Sequence, residues 1–272
     1  MAKCSLKTGL NLISRGKQVA NILAVLNQKG GVGKTTTAIN LASYLAKDGR
    51  SVLVVDIDPQ GNTTSGLGVD KQSLTVTLYD VLFSRAEVSK ALKKIGKDKL
   101  FLLPSNAQLA GSEIELVELP GREYYLKHVL EGLSYDFIII DCPPSLGLLT
   151  VNALSAATDV LIPVQAEYYA LEGLSQLLSV IQQVQGGLNP NLNLLGLVLT
   201  LYDPRNSLSD QVKDELSKHF GDKLFETIIP RNVRLAEAPS FGKPIMEYDK
   251  WSKGARAYKA LTKELEGKVY GK

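Results

Sequence analysis

The stretch LNQKGGVGKTTTAINLA, residues 26–42, most constrains what this chain can fold into. An apolar run, ILAVLN (22–27), precedes it. A segment with Ala38, Leu41, Ala42 and Leu45 at helical spacing follows, and Asp48-Gly49 stops it. Strand, glycine-rich turn and helix in that order are the setting in which backbone N–H groups and a helix N-terminus receive a phosphate. Gly30, Gly31 and Gly33 permit a tight turn and a close backbone approach, with Val32 between them. Lys34 is placed to reach β- and γ-phosphates, the Thr35 hydroxyl to ligate Mg²⁺, and Thr36 to contact an inner phosphate. The usual pattern G-x-x-x-x-G-K-[ST] ends correctly at Gly33-Lys34-Thr35 but begins with Gln28 in place of glycine. A second lysine, Lys29, stands directly before the glycine pair.

The rest of the chain repeats strand, then helix. Short continuous apolar runs at 51–58, 100–104, 136–141, 160–164, 192–200 and 224–230 read as strands covered on both faces. Helical patterns fall at about 124–132, 146–157, 170–185, 207–220 and 254–266. That alternation predicts an α/β fold: a mostly parallel central sheet with helices on both faces and ligands at the carboxyl ends of the strands. No linker-like or repeated segment divides the chain, so residues 21–272 are expected to form one domain, with 1–20 as an N-terminal extension. Leu6, Leu10 and Ile13 of that extension share a face if it is helical, but it lacks the apolar region and cleavage site of a secretory signal.

Composition excludes some classes. Hydrophobic residues make up 44% of the 272, enough for a substantial core, yet no run approaches the roughly 18 apolar residues of a membrane span. A net charge of +3 means that any binding to polyanions must come from local clustering. Cys4 and Cys142 are too far apart in sequence to form a metal motif and read as free thiols of a reducing cytosol. His128 and His219 sit in amphipathic helical patterns and read as ordinary helix residues. Trp251 and the pair Tyr168-Tyr169 are expected to be packing residues rather than stacking platforms.

Three aspartates end apolar runs. Strand alternation puts Asp56 and Asp58 on one face, with Pro59 breaking the run, and Asp141 closes FIIID.

With these residues in view, KGGVGKT resembles the deviant Walker A motif of the ParA/MinD superfamily of P-loop ATPases. DIDPQGN (56–62) is similar to that superfamily's second Walker-type motif, and FIIIDCPPSLG (137–147) to its Walker B and switch region. VQAEYYALEGL and IPRNVRLAEAPSFGKPI resemble stretches of the chromosomal ParA (Soj) branch, and the likeness spans about 21–266.

The resemblance implies a slow cytoplasmic, nucleoid-associated ATPase of DNA segregation that uses ATP and Mg²⁺. It implies an ATP-dependent homodimer that binds DNA without sequence preference, and a ParB-type partner that stimulates hydrolysis and release. In such a protein Lys29 crosses the dimer interface to the partner's nucleotide. Two facing triphosphates bring about eight negative charges together, so cations at the seam are needed. The resemblance further implies that Asp58 positions the attacking water, that Asp56 lies near the metal, and that Asp141 holds Mg²⁺ through water. Pro230, Arg231 and Asn232 are implied beside the adenine, and Arg205 and Arg234 on DNA, with Lys243, Lys250 and Lys253 as possible additions to the patch. No helix-turn-helix precedes residue 21, which argues against operator binding.

A MinD-like membrane-surface ATPase is the alternative and would need an amphipathic C-terminal helix rich in bulky apolar residues. Here Ala255, Tyr258, Leu261 and Leu265 form only a narrow seam, so no stable membrane anchor is expected. A nitrogenase-type iron–sulfur reductase would need two cluster cysteines in the domain, and Cys4 lies outside it.

Overall fold

The computed structural model describes residues 20–167 and 170–271. The N-terminal extension and the Tyr168-Tyr169 pair therefore lie outside the described residues. Seven strands form one sheet in the order β3-β4-β2-β5-β1-β6-β7. They are β1 (Asn21–Val25), β2 (Val52–Asp56), β3 (Lys93–Ile95), β4 (Leu100–Leu103), β5 (Phe137–Asp141), β6 (Asp159–Gln165) and β7 (Asn193–Thr200). All neighbours run parallel except β3, which pairs antiparallel with β4 at the edge.

Alternation along the strands splits the core in two. Ala24 and Leu26 join a cluster on one face with the helices Tyr125–Leu130, Leu148–Ala156 and Ala170–Gly187. Leu23 and Val25 join the other, under helix α1 (Lys34–Lys47) and the C-terminal helix Lys253–Tyr270. Both faces are thus covered, which is why the strands read as unbroken apolar runs.

Two sequence expectations need correction. The run 224–230 is not a strand but makes isolated bridges, Leu224 with Leu197 of β7 and Pro230 with Tyr202 just beyond it. Phe225 donates its N–H to Leu197 and Ile229 to Leu199, so four residues on one side span two on the other and the ladder breaks. The short edge strand β3, with two lysines in three residues, carries too weak an apolar pattern to be anticipated.

The seam on the C-terminal helix is consumed by docking. Ala255, Tyr258, Leu261 and Leu265 are all buried, the Tyr258 hydroxyl pairs with Thr37 Oγ1 at 3.0 Å, and Tyr44 donates to the Ala255 carbonyl. Glu264 accepts the backbone N–H groups of Glu226 and Thr227, which ties the irregular segment down. Leu261→Ala should therefore destabilise the fold by about 2–5 kcal/mol, while exposed Lys259→Ala should stay within about 0.5 kcal/mol. Denaturant midpoints compare the two, and equal midpoints would mean the helix does not dock as described.

Candidate nucleotide site

Residue 33 begins α1 in a left-handed conformation, φ 89°, which glycine adopts freely, and Gly31 is also left-handed at φ 74°. No side chain caps the helix and its first turn holds no acid. Its opening N–H groups therefore face the loop's concavity without an anionic side chain. A Cβ built on Gly30 or Gly31 would meet nothing within 4 Å, so space stands open above the loop. The loop itself is pinned. Asn27 donates to the Pro163 carbonyl of β6 at 2.7 Å and accepts from the Lys29 N–H, and Thr200 of β7 donates to the Val32 carbonyl at 2.8 Å.

A cleft of about 560 Å³ lies there, lined by Gly30, Gly31, Gly33, Lys34, Thr35 and Thr36 from the loop and by Asp58 from the segment after β2. Gln60, Asn62, Ser65 and Gly66 also line it, as do Pro144, Pro239 and Ser240. Lys34 is buried and closes the loop by donating to the Lys29 carbonyl at 3.1 Å. Burial pushes its pKa down, opposed chiefly by the nearby charge of Asp141.

Asp141 is the junction of the site. One oxygen, Oδ2, accepts from the hydroxyls of Thr35 at 2.8 Å and Thr63 at 2.7 Å. The other, Oδ1, is buried with no hydrogen-bond partner. A buried carboxylate oxygen without a partner costs free energy that a cation would recover, so Thr35 and Asp141 fit Mg²⁺ as donors. The described residues contain no group of three or more acidic, histidine or cysteine side chains suited to a metal. An ion here would thus take most of its shell from phosphate and water, as Mg²⁺ does.

The structure brings some expected residues together and separates others. Asp58 lines the cleft, with Oδ1 accepting the Gln60 N–H at 2.9 Å. Asp56, expected near the metal, stands beside Asp141 on the adjoining strand, and its carboxylate accepts the N–H and hydroxyl of Thr64 and the N–H of Asp58. Fully buried and so engaged, it shapes the turn between β2 and the cleft. Pro230, Arg231 and Asn232, expected at the adenine, lie outside this phosphate-side cleft. The Arg231 N–H bonds the Tyr202 carbonyl, and Asn232 caps the short helix Val233–Glu237. Pro239 and Ser240, a few residues on, reach the cleft instead.

Lys29 does not point at empty solvent. Its ammonium meets Glu167 Oε2 at 2.6 Å, and Gln165 donates to the other oxygen of Glu167. Sequence reasoning quoted Glu167 without giving it a role, and it missed Thr63 and Thr64, whose hydroxyls hold the two buried aspartates. The Thr-Thr pair directly after DIDPQGN is the only trace of them in the sequence.

The basic candidates are compensated by neighbours. Arg205 forks onto Asp203 through Nε and NH2, which holds that carboxylate down at about 2. Arg234 pairs with Glu237 at 2.9 Å and Asp249 at 3.5 Å. Both arginines, expected on DNA, thus stand on the surface in ion pairs with neighbouring carboxylates. His128 and His219 are exposed helix residues, and Cys142 is buried, with its thiol pKa pushed well up by burial. Trp251, expected to pack, is 79% exposed.

Burial, with the charge of Asp141 second, pushes Asp56 up to about 7, and burial pushes Asp141 up to about 6. Both lie above the value near 4 of an unfolded aspartate. The folded state then holds protons that the unfolded state has lost, and the associated stability disappears as pH rises through about 6 to 7. The unliganded protein should melt at lower temperature at pH 8 than at pH 5.5. Asp56→Asn, which cannot ionise, should flatten that slope in a melting series, and an unchanged slope would mean Asp56 stays charged throughout.

Comparison with known proteins agrees with this geometry. A family model described as an AAA domain matches residues 20–194. The chain is 55% identical over 249 residues to the sporulation initiation inhibitor protein Soj of Bacillus subtilis, covering 91% of this chain and 98% of that one. It is 51% identical to the chromosome partitioning protein ParA of Caulobacter vibrioides, covering 90% and 93%. A solved structure from Mycobacterium smegmatis, described as cobyrinic acid a,c-diamide synthase with bound ADP and magnesium, superposes with a TM-score of 0.81 at 41% identity, covering 93% and 97%. The chain belongs to the Soj/ParA family of chromosome-partitioning proteins.

Proposed function

We propose that this protein is a DNA-segregation ATPase, in which ATP drives dimerisation, the dimer binds DNA without sequence preference, and a partner of the ParB type accelerates hydrolysis and release. One observation carries the reading: the loop holds two lysines with separate tasks. Lys34 is buried against its own loop, while Lys29 stands half-exposed outside the cleft on a surface ion pair. The first serves the triphosphate of its own subunit. The second is available to a triphosphate bound by a facing copy, where unlike charge must offset repulsion.

The remaining roles follow from the donor set. Thr35 and Asp141 would hold Mg²⁺, which supplies charge neutralisation to the phosphates. The N–H groups of residues 30–36 cradle the phosphate oxygens, and Lys34 neutralises charge at the β- and γ-positions. Asp58, in the wall of the cleft, orients water for in-line attack. The loop carries no arginine and, among the described residues, Asp58 is the one carboxylate lining the cleft, so intrinsic hydrolysis is slow and a partner sets its rate. Arg205 and Arg234 contribute to DNA binding once phosphate oxygens replace Asp203, Glu237 and Asp249 as their acceptors. The membrane-surface alternative is disfavoured because the C-terminal seam is buried against α1, and no helix of the described residues is long and apolar enough to cross a membrane.

Lys29→Gln should leave ATP binding near normal and abolish ATP-dependent dimerisation and hydrolysis, read by light scattering. Glu167→Gln releases an exposed pair worth at most about 1 kcal/mol, so it should lower the ATP needed for dimerisation by no more than about fivefold. A dimer formed by the Lys29 variant would remove the second lysine from the mechanism.

Asp58→Ala should keep ATP affinity, because a carboxylate near the γ-phosphate repels it, while hydrolysis falls by about two orders of magnitude or more. The variant should accumulate as an ATP-bound dimer and retain DNA in a shift assay. If it stays monomeric at saturating ATP, Asp58 is structural.

A further inference from the structure

Trp251 is the single tryptophan of the chain, and it packs against almost nothing. It sits immediately before Ser252, the N-cap of the C-terminal helix. A large apolar residue there commonly packs on the side chain four positions past the cap, but that position is Arg256, which is exposed. No fold-stabilising role therefore accounts for the indole. Its recorded ring neighbour is a cation: Lys250 Nζ stands 5.1 Å from the ring centroid.

The surroundings are equally specific. Of the large apolar side chains exposed among the described residues, Val233, Phe241 and Trp251 fall in one segment, 233–251. Residues 231–259 hold seven Lys or Arg and three carboxylates, a larger positive surplus than the whole chain's +3. All seven cations are exposed. Two of the three carboxylates are tied down: Glu237 by Arg234 and the Tyr248 hydroxyl, Asp249 by the Trp251 N–H and Arg234. Arg234 is paired with those two carboxylates and Glu247 is exposed, while the other six cations have no ion pair among the described residues, and an aromatic ring stands among them.

We propose that Trp251 is a direct DNA contact, its indole lying against the sugars and base edges of duplex DNA while Lys250, Lys253 and Arg234 engage the flanking phosphates. The proposal rests on the DNA-binding reading above and adds a non-electrostatic element to it. A polyanion complements the cationic surplus, and the ring supplies apolar contact that every sequence offers, which suits binding without sequence preference. The two kinds of contact separate experimentally, because phosphate contacts set the salt dependence of binding and apolar ones do not.

The test uses the full chain with a non-hydrolysable ATP analogue and a labelled random-sequence duplex, with anisotropy measured over a salt series and indole emission followed in parallel. Trp251→Ala should weaken binding about tenfold at every salt concentration with the slope unchanged, and Trp251→Phe should recover most of it. Lys250→Ala should instead reduce the slope by about one. Emission should change on adding DNA, and the Ala variant should still dimerise with nucleotide. Normal DNA binding by Trp251→Ala, or unaltered emission while anisotropy reports binding, overturns the proposal and leaves the DNA reading intact. An emission change complete with nucleotide alone makes this a face for a second copy and also overturns it. Failure of the unsubstituted protein to bind any duplex overturns both.

Discussion

The structure turns on a buried carboxylate. Asp141, 1% exposed at the end of the central strand β5, holds the first turn of α1 through Thr35 and the segment after β2 through Thr63, both on one oxygen. Two chain segments that flank the cleft from opposite sides are thereby joined at one atom. Burying a carboxylate is costly, and here the second oxygen has no hydrogen-bond partner among the described residues. The unliganded molecule tolerates this by favouring the proton on Asp141 and its neighbour Asp56. A cation bound beside Thr35 would favour the ionised form instead. Stability and cation binding therefore draw on the same group.

Much of this was legible in the chain because local chemistry dictated it. A glycine-rich turn between an apolar strand and a helix has few other uses, and β1, α1, β2, β4, β5, β6 and β7 lie close to where their apolar periods put them. The failures share a cause: each depends on partners distant in sequence. Whether 224–230 pairs regularly with β7 depends on spacing against Leu197 and Leu199, which no local pattern records. Asp56 and Asp58 alternate as expected, but the partners that separate their tasks, Thr64 and Gln60, act through the turn that follows. Trp251 was read as core because large aromatics usually are. Its exposure follows from Arg256 standing where a packing partner would be.

Charge placement distinguishes the two lysines better than their position in the motif does. Lys34 is desolvated, and its charge is favoured chiefly by the nearby Asp141. Its ammonium is also held by the Lys29 carbonyl of its own loop. Lys29 is half-exposed, and its partner Glu167 is too. Pairs of that kind contribute about 0–1 kcal/mol, so Lys29 exchanges one anion for another at little cost.

The same reasoning orders the steps of the proposed cycle. A triphosphate in the facing subunit carries several charges where Glu167 carries one, so the exchange at Lys29 favours the nucleotide once a second copy is near. After hydrolysis and loss of phosphate the facing anion is weaker, and Glu167 competes again. A weak intramolecular ion pair is suited to this task, because a strong one would hold the monomer and an absent one would leave Lys29 solvated in every state. In the proposed cycle the charge of the bound nucleotide is what changes the affinity between subunits. That lets a slow hydrolysis step, timed by Asp58 and a partner, decide how long the dimer lasts.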